Sequence, residues 1–385
     1  MIQIEKLLPK PPEWRVPWTE AEQLLRHFKE EMANTQQNPR WHGEGNVLIH
    51  TKMVCEALAA MEEYRQAEEK IQKILYLAAL FHDIGKISAT VLEDGQWVSR
   101  GHAKIGAKMA RCILWKDLGY SGRQELQEIR EAICNLIYYH SLPPYAYENE
   151  EGELKLRRVA ANGELIPDFT IRLLCILSEA DARGRICEEQ QEMLEKIALT
   201  AEMAKEIGIY EGPHKYPSVI TEYAHLSGRN VSPDYELYDD TWGEVIMMSG
   251  LPGTGKDTWI RTHCKDLPMI SLDEIRKEFR VRPTDPQTKV VQIAKERAKE
   301  YLRKKQPFAW NATNITDQVR QQQMDLFTAY GASVRIVYLE TEWMEELRRN
   351  EERKEYVPEG AIVNMMKKMS LPERAEAHRV EWNCV

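Results

Sequence analysis

The sequence has no paired cysteines and no long apolar run. Its seven cysteines stand singly, and no two of them form a C-x-x-C pair. Such a set is typical of reduced thiols, and not of a disulfide framework or a thiolate zinc site. No window reaches the roughly 18 apolar residues of a membrane span, and the opening stretch, MIQIEKLLPKPPEWR, has no apolar core of signal-peptide length. The sequence therefore predicts a cytoplasmic protein without a membrane partner.

Internal repeats and low-complexity tracts are also missing. The chain has 385 residues, of which 43% are hydrophobic and 29% charged, and this composition is typical of a soluble globular protein with two domains. The net charge of −9 falls on the part before Gly243, whereas the part from Gly243 onward is slightly basic. This asymmetry favours a nucleic-acid-binding face in the C-terminal half.

A phosphate-binding loop is predicted in residues 244–260, EVIMMSGLPGTGKDTWI. An apolar strand leads into a glycine-rich loop and then into a helix, which is the context that G-x-x-x-x-G-K requires. Glycines leave backbone N–H groups free to surround phosphates, and the lysine reaches the outer phosphates. The predicted nucleotide-binding residues are Gly250, Gly253, Thr254, Gly255, Lys256, Asp257 and Thr258.

The periodicity of the chain changes near residue 208. Residues 19–207 are mostly helical, and residues 208–242 are rich in proline, glycine, tyrosine and acidic residues, with one short helix at 219–226. We therefore expect domains at 1–207 and 243–385, joined by a linker at 208–242. In the second domain strands alternate with helices, which predicts a parallel sheet with ligands at its carboxyl edge. The predicted strands are 244–249, 269–272, 308–311 and 334–339.

Histidine and aspartate recur in order through the helical half. One histidine alone is as readily explained as a core or surface residue, but the ordered set indicates a metal centre, because imidazoles and carboxylates are good ligands for divalent transition metals. The candidate ligands are His50, His82, Asp83, His102, His140 and Asp181. Lys86 and Arg185 follow Asp83 and Asp181 by about one helical turn, and they either bind phosphate or form surface salt bridges.

The stretches FHDIGK and GHAKIGA resemble local signatures of the HD phosphohydrolase superfamily, and the resemblance covers residues 40–190. It implies an all-α HD-type bundle in which His50, His82, Asp83 and Asp181 are the primary metal ligands. It also implies that His102 and His140 bind a second ion, and that Lys86 and Arg185 act catalytically by holding phosphate oxygens. The ions would activate a water molecule and polarise a phosphoryl oxygen.

Further charged motifs follow the phosphate-binding loop. Asp273 and Arg276 lie in SLDEIR, after the second predicted strand, where Asp273 is a candidate base or a simple helix N-cap. Arg320 follows the third predicted strand and is a candidate substrate-binding residue. Arg349 and Arg353 lie four residues apart on a predicted helix, where they either clamp a triphosphate or form a solvated charged face.

In series, the loop, S-x-D-x-x-R and R-N-x-x-R resemble the polynucleotide 5′-kinase group. The resemblance implies that Asp273 is the general base, that Arg276 holds the neighbouring substrate phosphate, and that Arg349 and Arg353 belong to a lid over the nucleotide. One departure is Asp257, which stands where this group has the Ser or Thr that binds magnesium. With the HD motifs in front, the whole chain resembles the bacterial HD-domain polynucleotide kinase family.

That family resemblance implies a bifunctional enzyme that heals nucleic-acid ends. It would phosphorylate 5′-hydroxyl ends with ATP or another NTP and Mg²⁺. It would also remove 2′,3′-cyclic, 2′- or 3′-phosphate from RNA or DNA ends, using two ions such as Mn²⁺, Co²⁺ or Ni²⁺. No K-x-D-G motif is present, so sealing would need a separate ligase. Two alternatives remain: a small-molecule kinase fused to an HD nucleotidase, and a regulatory RNA-binding module with a degenerate site.

Overall fold

The computed structural model describes residues 4–282, 284–353 and 355–385. Within it the chain divides into two units. The first runs to Tyr120 and resumes over Glu125–His214, and the second comprises Ser121–Gln124 and Lys215–Val385. The first is helical and the second is α/β with a five-stranded parallel sheet, so the predicted fold class is confirmed. Among the described residues, no helix is both long and apolar enough to cross a membrane.

The first unit consists of α-helices and one small hairpin. Short 3-10 turns occur at Ile4–Lys6 and Asn162–Glu164, and a π-helical turn at Ile113–Asp117. The helices are α1 (Trp18–Leu24), α2 (Lys29–Asn34), α3 (Val47–Ala60), α4 (Glu62–Gln66), α5 (Glu69–Phe81), α6 (Lys86–Ala89), α7 (His102–Cys112), α8 (Gln124–Tyr139), α9 (Pro143–Ala146), α10 (Gly152–Ala161), α11 (Ile171–Arg183) and α12 (Gln190–Glu206); the hairpin strands are β1 (Val91–Glu93) and β2 (Gln96–Val98).

Helices α3, α5 and α11 pack together at the centre of this unit. Two of them begin at side-chain caps, because Asn46 accepts a hydrogen bond from the backbone N–H of Ile49 and Thr170 accepts one from that of Leu173. Their apolar faces are fully buried, and each such leucine or isoleucine contributes about 1.5–3 kcal/mol relative to an exposed one. The three helices therefore form the rigid base for any side chain that they project inward.

The hairpin between α6 and α7 was not predicted from the sequence. Asp94 and Gly95 both have positive φ (48° and 76°), as a type I′ turn requires. The hydroxyls of Thr90 and Ser99 lie 2.8 Å apart at the base of the hairpin. The Asp-Gly pair was the available signal, but the strands on either side of it are only three residues long.

The second unit is built on a sheet with strand order β4-β5-β3-β6-β7, all parallel. Its strands are β3 (Glu244–Ser249), β4 (Met269–Ser271), β5 (Ala309–Asn311), β6 (Ser333–Glu340) and β7 (Arg379–Cys384). Its helices are α13 (Val219–Leu226), α14 (Lys256–His263), α15 (Leu272–Glu278), α16 (Thr288–Arg303), α17 (Asp317–Ala329), α18 (Trp343–Glu351) and α19 (Glu359–Lys368), with a 3-10 turn at Arg374–Glu376.

The central strand, β3, is buried on both faces, as the apolar run VIMM predicts for a parallel sheet. The chain moves from β3 to one side of the sheet and later returns past it to β6. The carboxyl end of β3 is therefore at the topological switch point, where such sheets bind ligands. The four predicted strands are observed with ends shifted by at most one residue, whereas β7 was missed because Arg379, Glu381 and Asn383 interrupt its apolar pattern.

The segment predicted as a linker is not a separate connection. From Lys215 onward it belongs to the second unit, and its short helix, α13, is observed. Glu222 on α13 forms a buried ion pair with Arg374, and the indole N–H of Trp242 donates to the carbonyl of Tyr330 over 2.8 Å. Buried charge pairing of this kind cannot be read from local composition, which is why the segment resembled a linker.

Gly85 should tolerate no side chain. A Cβ atom there would lie 2.1 Å from the carbonyl oxygen of His102 and 2.5 Å from the amide nitrogen of Gly106, and both are backbone atoms of α7. Gly85→Ala would therefore force α6 and α7 apart, and we expect a loss of about 1–3 kcal/mol in the free energy of unfolding. Urea unfolding checks this, with Gly212→Ala as the control because a Cβ there meets nothing within 4 Å. Equal stability of the two variants would contradict the close packing.

Candidate metal centre and phosphate-binding loop

The six predicted metal ligands come together in the first unit. They are carried by three helices (α3, α7 and α11) and by the turns that follow α5 and α8, and all but His102 are fully buried. Three short distances define the cluster: 3.0 Å from His50 Nε2 to Asp181 Oδ1, 3.3 Å from His50 Nε2 to His82 Nε2, and 3.4 Å from His102 Nε2 to His140 Nε2.

Three of the histidines share the same backbone hydrogen bond. Each places Nδ1 on a carbonyl oxygen three residues earlier, and because a carbonyl only accepts, each Nδ1 must carry the proton. The pairs are His82 with Ala79 (2.8 Å), His102 with Ser99 (2.8 Å) and His140 with Ile137 (2.7 Å). The Nε2 lone pairs therefore point into the cluster, in the tautomer that a metal ligand needs.

Asp83 lies between two groups of these lone pairs. Its Oδ2 is 3.3 Å from Nε2 of His82, and its Oδ1 is 3.3 Å from Nε2 of His102. Both oxygens are buried without a hydrogen bond of good geometry. Such a convergence of acceptors requires positive charge, and Lys86 Nζ, 2.7 Å from Asp83 Oδ2, supplies one such charge. The two groups, His50–His82–Asp181 and Asp83–His102–His140, have the donor atoms that could each hold a divalent ion.

The electrostatics favour the ligand forms of His140 and Asp83, whereas the nearby Asp181 and Glu44 raise the pKa of His50. Burial and the nearby His102 lower the pKa of His140 to about 3, so that its imidazole is neutral. Burial would raise the pKa of Asp83, but the Lys86 ammonium opposes this effect, and the pKa lies well below its usual value. Neutral imidazole and ionised carboxylate are the species that bind divalent metals.

The two predicted phosphate-binding cations are held differently. Lys86 Nζ lies 2.7 Å from Asp83 Oδ2, 2.7 Å from Gln37 Oε1 and 3.3 Å from His42 Nε2. All three of its N–H groups therefore have protein partners. The resemblance implies that Lys86 holds phosphate, whereas here the lysine neutralises Asp83. Arg185 lies beyond the end of α11, yet it still contacts both oxygens of Asp181 through Nε and Nη2, and Nη1 has no hydrogen-bond partner among the described residues.

The glycine-rich loop in the second unit follows β3 at the switch point. Gly250 has φ 143°, and a Cβ there would lie 2.4 Å from the carbonyl oxygen of Leu339, so only glycine fits. Gly255, with φ 82°, directly precedes α14, whose first residue is Lys256. Lys256 Nζ donates to the carbonyls of Gly250 (2.9 Å) and Leu251 (2.6 Å), and burial lowers its pKa to about 8.

A cavity of about 210 Å³ opens beside this loop. Asp257, Ser271, Asp273 and Arg353 are among the residues that line it. Ser271 caps α15 by accepting a hydrogen bond from the backbone N–H of Glu274, so Asp273 is not the helix cap. Asp257 accepts a hydrogen bond from the side-chain amide of Asn311. Two carboxylates and a hydroxyl in one cavity supply the oxygen ligands that Mg²⁺ prefers.

The predicted arginines surround the same cavity. Arg276 forms an ion pair with Asp273 and donates to Gln287 Oε1 over 3.1 Å. Arg349 lies on α18, with Nη1 3.9 Å from where a Cβ of Gly255 would be. Helix α18 ends at Glu351, so Arg353 lies in the following turn and not on the predicted helix, with Nη2 3.9 Å from Asp273 Oδ2.

One amide closes the loop that carries Arg353. The Asn350 side chain donates to the carbonyl of Val357 (2.7 Å) and accepts from its backbone N–H (3.1 Å). The two ends of this loop are therefore tied together at the end of α18.

Comparison with known proteins agrees with this geometry. A family model described as an HD domain matches residues 47–186, and one described as an AAA domain matches residues 245–372. The order of the two matches is that of an HD domain followed by a P-loop kinase-like domain. The chain is also 27% identical over 151 residues to heterogeneous nuclear ribonucleoprotein U-like protein 2 of Mus musculus and 26% identical to that of Homo sapiens. Each match covers 34% of this chain and only 20% of the relative.

Arg320 does not belong to the kinase site. It is fully buried, and its five N–H groups contact Glu376 and the carbonyls of Asn314, Ser370 and Leu371. No donor remains for a substrate, so the prediction of a substrate-binding role is corrected. The sequence could not show this, because Glu376 lies 56 residues further along the chain.

Two further acidic residues were missed. Glu44 of the HD domain contacts His42 and His50 and is buried. Glu346 of the kinase domain is fully buried against Gly253, and neither of its carboxylate oxygens has a hydrogen-bond partner. Glu44 stands six residues before His50, which was the available signal, whereas Glu346 is hidden in a charged helical run.

Arg320→Met should destabilise the kinase domain. The substitution leaves Glu376 and three carbonyls without their partner, and we expect a loss of about 3–5 kcal/mol in the free energy of unfolding. Arg348→Met is the matched control, because Arg348 is exposed on α18. Urea unfolding compares the two variants. If Arg320→Met kept full stability and only raised the KM of the acceptor, Arg320 would be a substrate ligand.

Glu346 should make stability depend on pH. Burial raises its pKa to about 8, although Lys256 partly opposes the shift. Because the native state holds this proton more tightly than the unfolded chain, stability should fall as pH rises from about 4.5 through 8. Glu346→Gln should flatten this decline, measured as the urea midpoint against pH. Glu359→Gln, an exposed control, should not. If stability declined with pH in Glu346→Gln as it does in the wild type, the decline would come from another titratable group.

Proposed function

We propose that this protein heals nucleic-acid ends. It would phosphorylate 5′-hydroxyl ends from an NTP and remove 2′,3′-cyclic, 2′- or 3′-phosphate from the opposite end. An HD domain and a kinase-type P-loop domain in one chain support a phosphohydrolase and a kinase for nucleotides or nucleic acids. The observation that carries the finer proposal is that Asp83 joins two converging ligand groups, while a separate cavity holds Asp273 beside a phosphate-binding loop.

The HD domain would perform the hydrolysis. When bound by the two ligand groups, two ions such as Mn²⁺, Co²⁺ or Ni²⁺ would supply an activated water molecule and a polarised phosphoryl oxygen. Arg185 would hold a phosphate oxygen through Nη1 while its other N–H groups keep Asp181 in place. Lys86 would keep Asp83 ionised and oriented. A water oxygen would then attack phosphorus, and the ribose oxygen would leave with a proton.

The kinase domain would transfer a phosphoryl group. Lys256 would exchange the carbonyls of Gly250 and Leu251 for the outer phosphates of ATP or another NTP. Asp257 and Thr258 would supply oxygen ligands to Mg²⁺. Asp273 would accept the proton of the 5′-hydroxyl, with Arg276 keeping it in place beside an acceptor phosphate.

The lid arginines would complete this site. Arg349 and Arg353 approach the loop and the cavity from the end of α18, and they would neutralise charge on the transferred group. Because the Asp273 carboxylate is already paired with Arg276, the acceptor hydroxyl would meet a base of fixed orientation.

The substrates would be RNA or DNA ends that carry 5′-hydroxyl and 3′-side phosphate groups. The curated relatives are named as ribonucleoproteins, and their similarity to about a third of this chain supports a nucleic-acid acceptor. The healed ends would be joined by a separate ligase. We place this reaction in the cytoplasm, because all seven cysteines are free thiols.

Paired variants should separate the two activities. With an RNA that has 5′-hydroxyl and 2′,3′-cyclic phosphate ends, Asp83→Ala should abolish phosphate removal, because it removes the bridging ligand, and spare 5′ phosphorylation. Asp273→Ala should lower the kinase kcat by about 10²–10⁴-fold, because a general base contributes that much, and spare phosphate removal. Product mapping at both ends checks this.

Asp325→Ala, on the exposed face of α17, is the control and should change neither activity. Phosphorylation of free nucleosides in preference to the oligonucleotide would favour a small-molecule kinase. Loss of both activities in a folded Asp83→Ala protein would show that the two chemistries are not independent.

A further inference from the structure

A second layer of buried polar groups lies behind the metal centre, in the loop before α3. Glu44 Oε1 is 2.8 Å from His42 Nδ1 and 2.9 Å from His50 Nδ1, and the Glu44 side chain is only 1% exposed. One carboxylate oxygen therefore contacts two imidazoles. None of these contacts involves the Nε2 atom that His50 turns toward Asp181.

The carboxylate fixes the tautomer of both rings. An ionised carboxylate only accepts, so His42 and His50 each donate from Nδ1, and a neutral ring then keeps its lone pair at Nε2. The carbonyl of Gly184, 3.2 Å from His50 Nδ1, favours the same tautomer of His50. For His50 that lone pair is the one directed at the ligand group. For His42 it faces Lys86 Nζ at 3.3 Å, where it can only accept.

The His42 ring contacts Lys86 and so helps to orient its ammonium group. With Gln37 and Asp83, His42 completes the three acceptors around the lysine ammonium. A chain of contacts thus runs from Glu44 through His42 and Lys86 to the bridging carboxylate. In each link one group donates and the other accepts. Exchanging these roles in one link would therefore break the contact in the next link.

The other carboxylate oxygen reaches the segment of Arg185. Glu44 Oε2 accepts a hydrogen bond from the backbone N–H of Ile186 over 2.9 Å. The backbone N–H of Gly43 donates to the carbonyl of Ile186 over 2.8 Å, and a Cβ at Gly43 would lie only 2.8 Å from that same oxygen. The loop is therefore closely joined to the residue that follows Arg185.

We infer that Glu44 is the positioning residue of the metal centre, which orients His50 directly and Lys86 through His42. This inference rests on the proposed two-ion centre. A carboxylate behind a ligating histidine raises its basicity and fixes its ring, and loss of such a partner costs about 10–100-fold in metal affinity. The alternative is that His42, Glu44 and His50 bind a third ion.

Co²⁺ binding to the full chain tests this role without an activity assay. The dissociation constant comes from competition with a chelator, the stoichiometry from elemental analysis, and the coordination from the visible absorption of Co²⁺. Glu44→Gln keeps the size of the side chain but replaces one acceptor oxygen with a donor. We expect two ions at saturation, bound about 10–100-fold more weakly, with a changed absorption spectrum.

Two further variants complete the design. Glu63→Gln, on the exposed surface of α4, is the control and should bind Co²⁺ as the wild type does. His42→Asn keeps a donor for Glu44 but removes the acceptor for Lys86, so it should weaken binding less than Glu44→Gln. It also keeps the inference testable if Glu44→Gln does not fold. If His42→Asn weakened Co²⁺ binding as much as we predict for Glu44→Gln, the direct contact between Glu44 and His50 would not be the main link.

The outcomes are distinct. Unchanged affinity and spectrum in Glu44→Gln would overturn the positioning role while leaving the two-ion centre intact. Loss of one equivalent of Co²⁺, with the remaining ions bound as before, would show a third ion site instead. A wild-type chain that binds no Co²⁺ would overturn the proposed metal centre and this inference with it.

Discussion

A buried carboxylate between facing histidines is the constraint on which the HD domain depends. Burying the charge of Asp83 is costly unless opposite charge lies close to it, and Lys86 supplies one such charge at 2.7 Å. The histidine lone pairs on both sides add no positive charge of their own when their Nδ1 protons are committed to carbonyls. Divalent ions meet this requirement, which ties the stability of the centre to its chemistry.

The kinase domain has a different electrostatic requirement, because its proposed ligand is a highly charged nucleotide. Its glycine-rich loop follows β3 at the switch point of the sheet, and its lysine donates to carbonyls that phosphate oxygens can replace. Asp257 stands where a hydroxyl is usual, but the amide of Asn311 holds its carboxylate in place at the cavity wall. The departure seen in the sequence is thus accommodated by a neighbouring strand.

The sequence predicted most of the fold because both halves have strong local patterns. The run VIMM and the loop after it identified β3, and each of the four predicted ligand histidines lies on a helix or at its end, as expected. The predictions that the structure corrects concern side chains whose partners are distant in the sequence. Arg320 resembles a substrate-binding cation in the sequence, but it is paired with Glu376. Lys86 resembles a phosphate ligand, but Gln37 and His42 accept hydrogen bonds from its ammonium group. No local pattern encodes such pairings.

The Asn350 amide has a consequence for the timing of nucleotide capture. Because its two hydrogen bonds join Asn350 to Val357, part of the loop-closure entropy of the segment that carries Arg353 is lost when the protein folds. In the proposed kinase site, a lid whose ends are already joined would lose less entropy when the nucleotide binds.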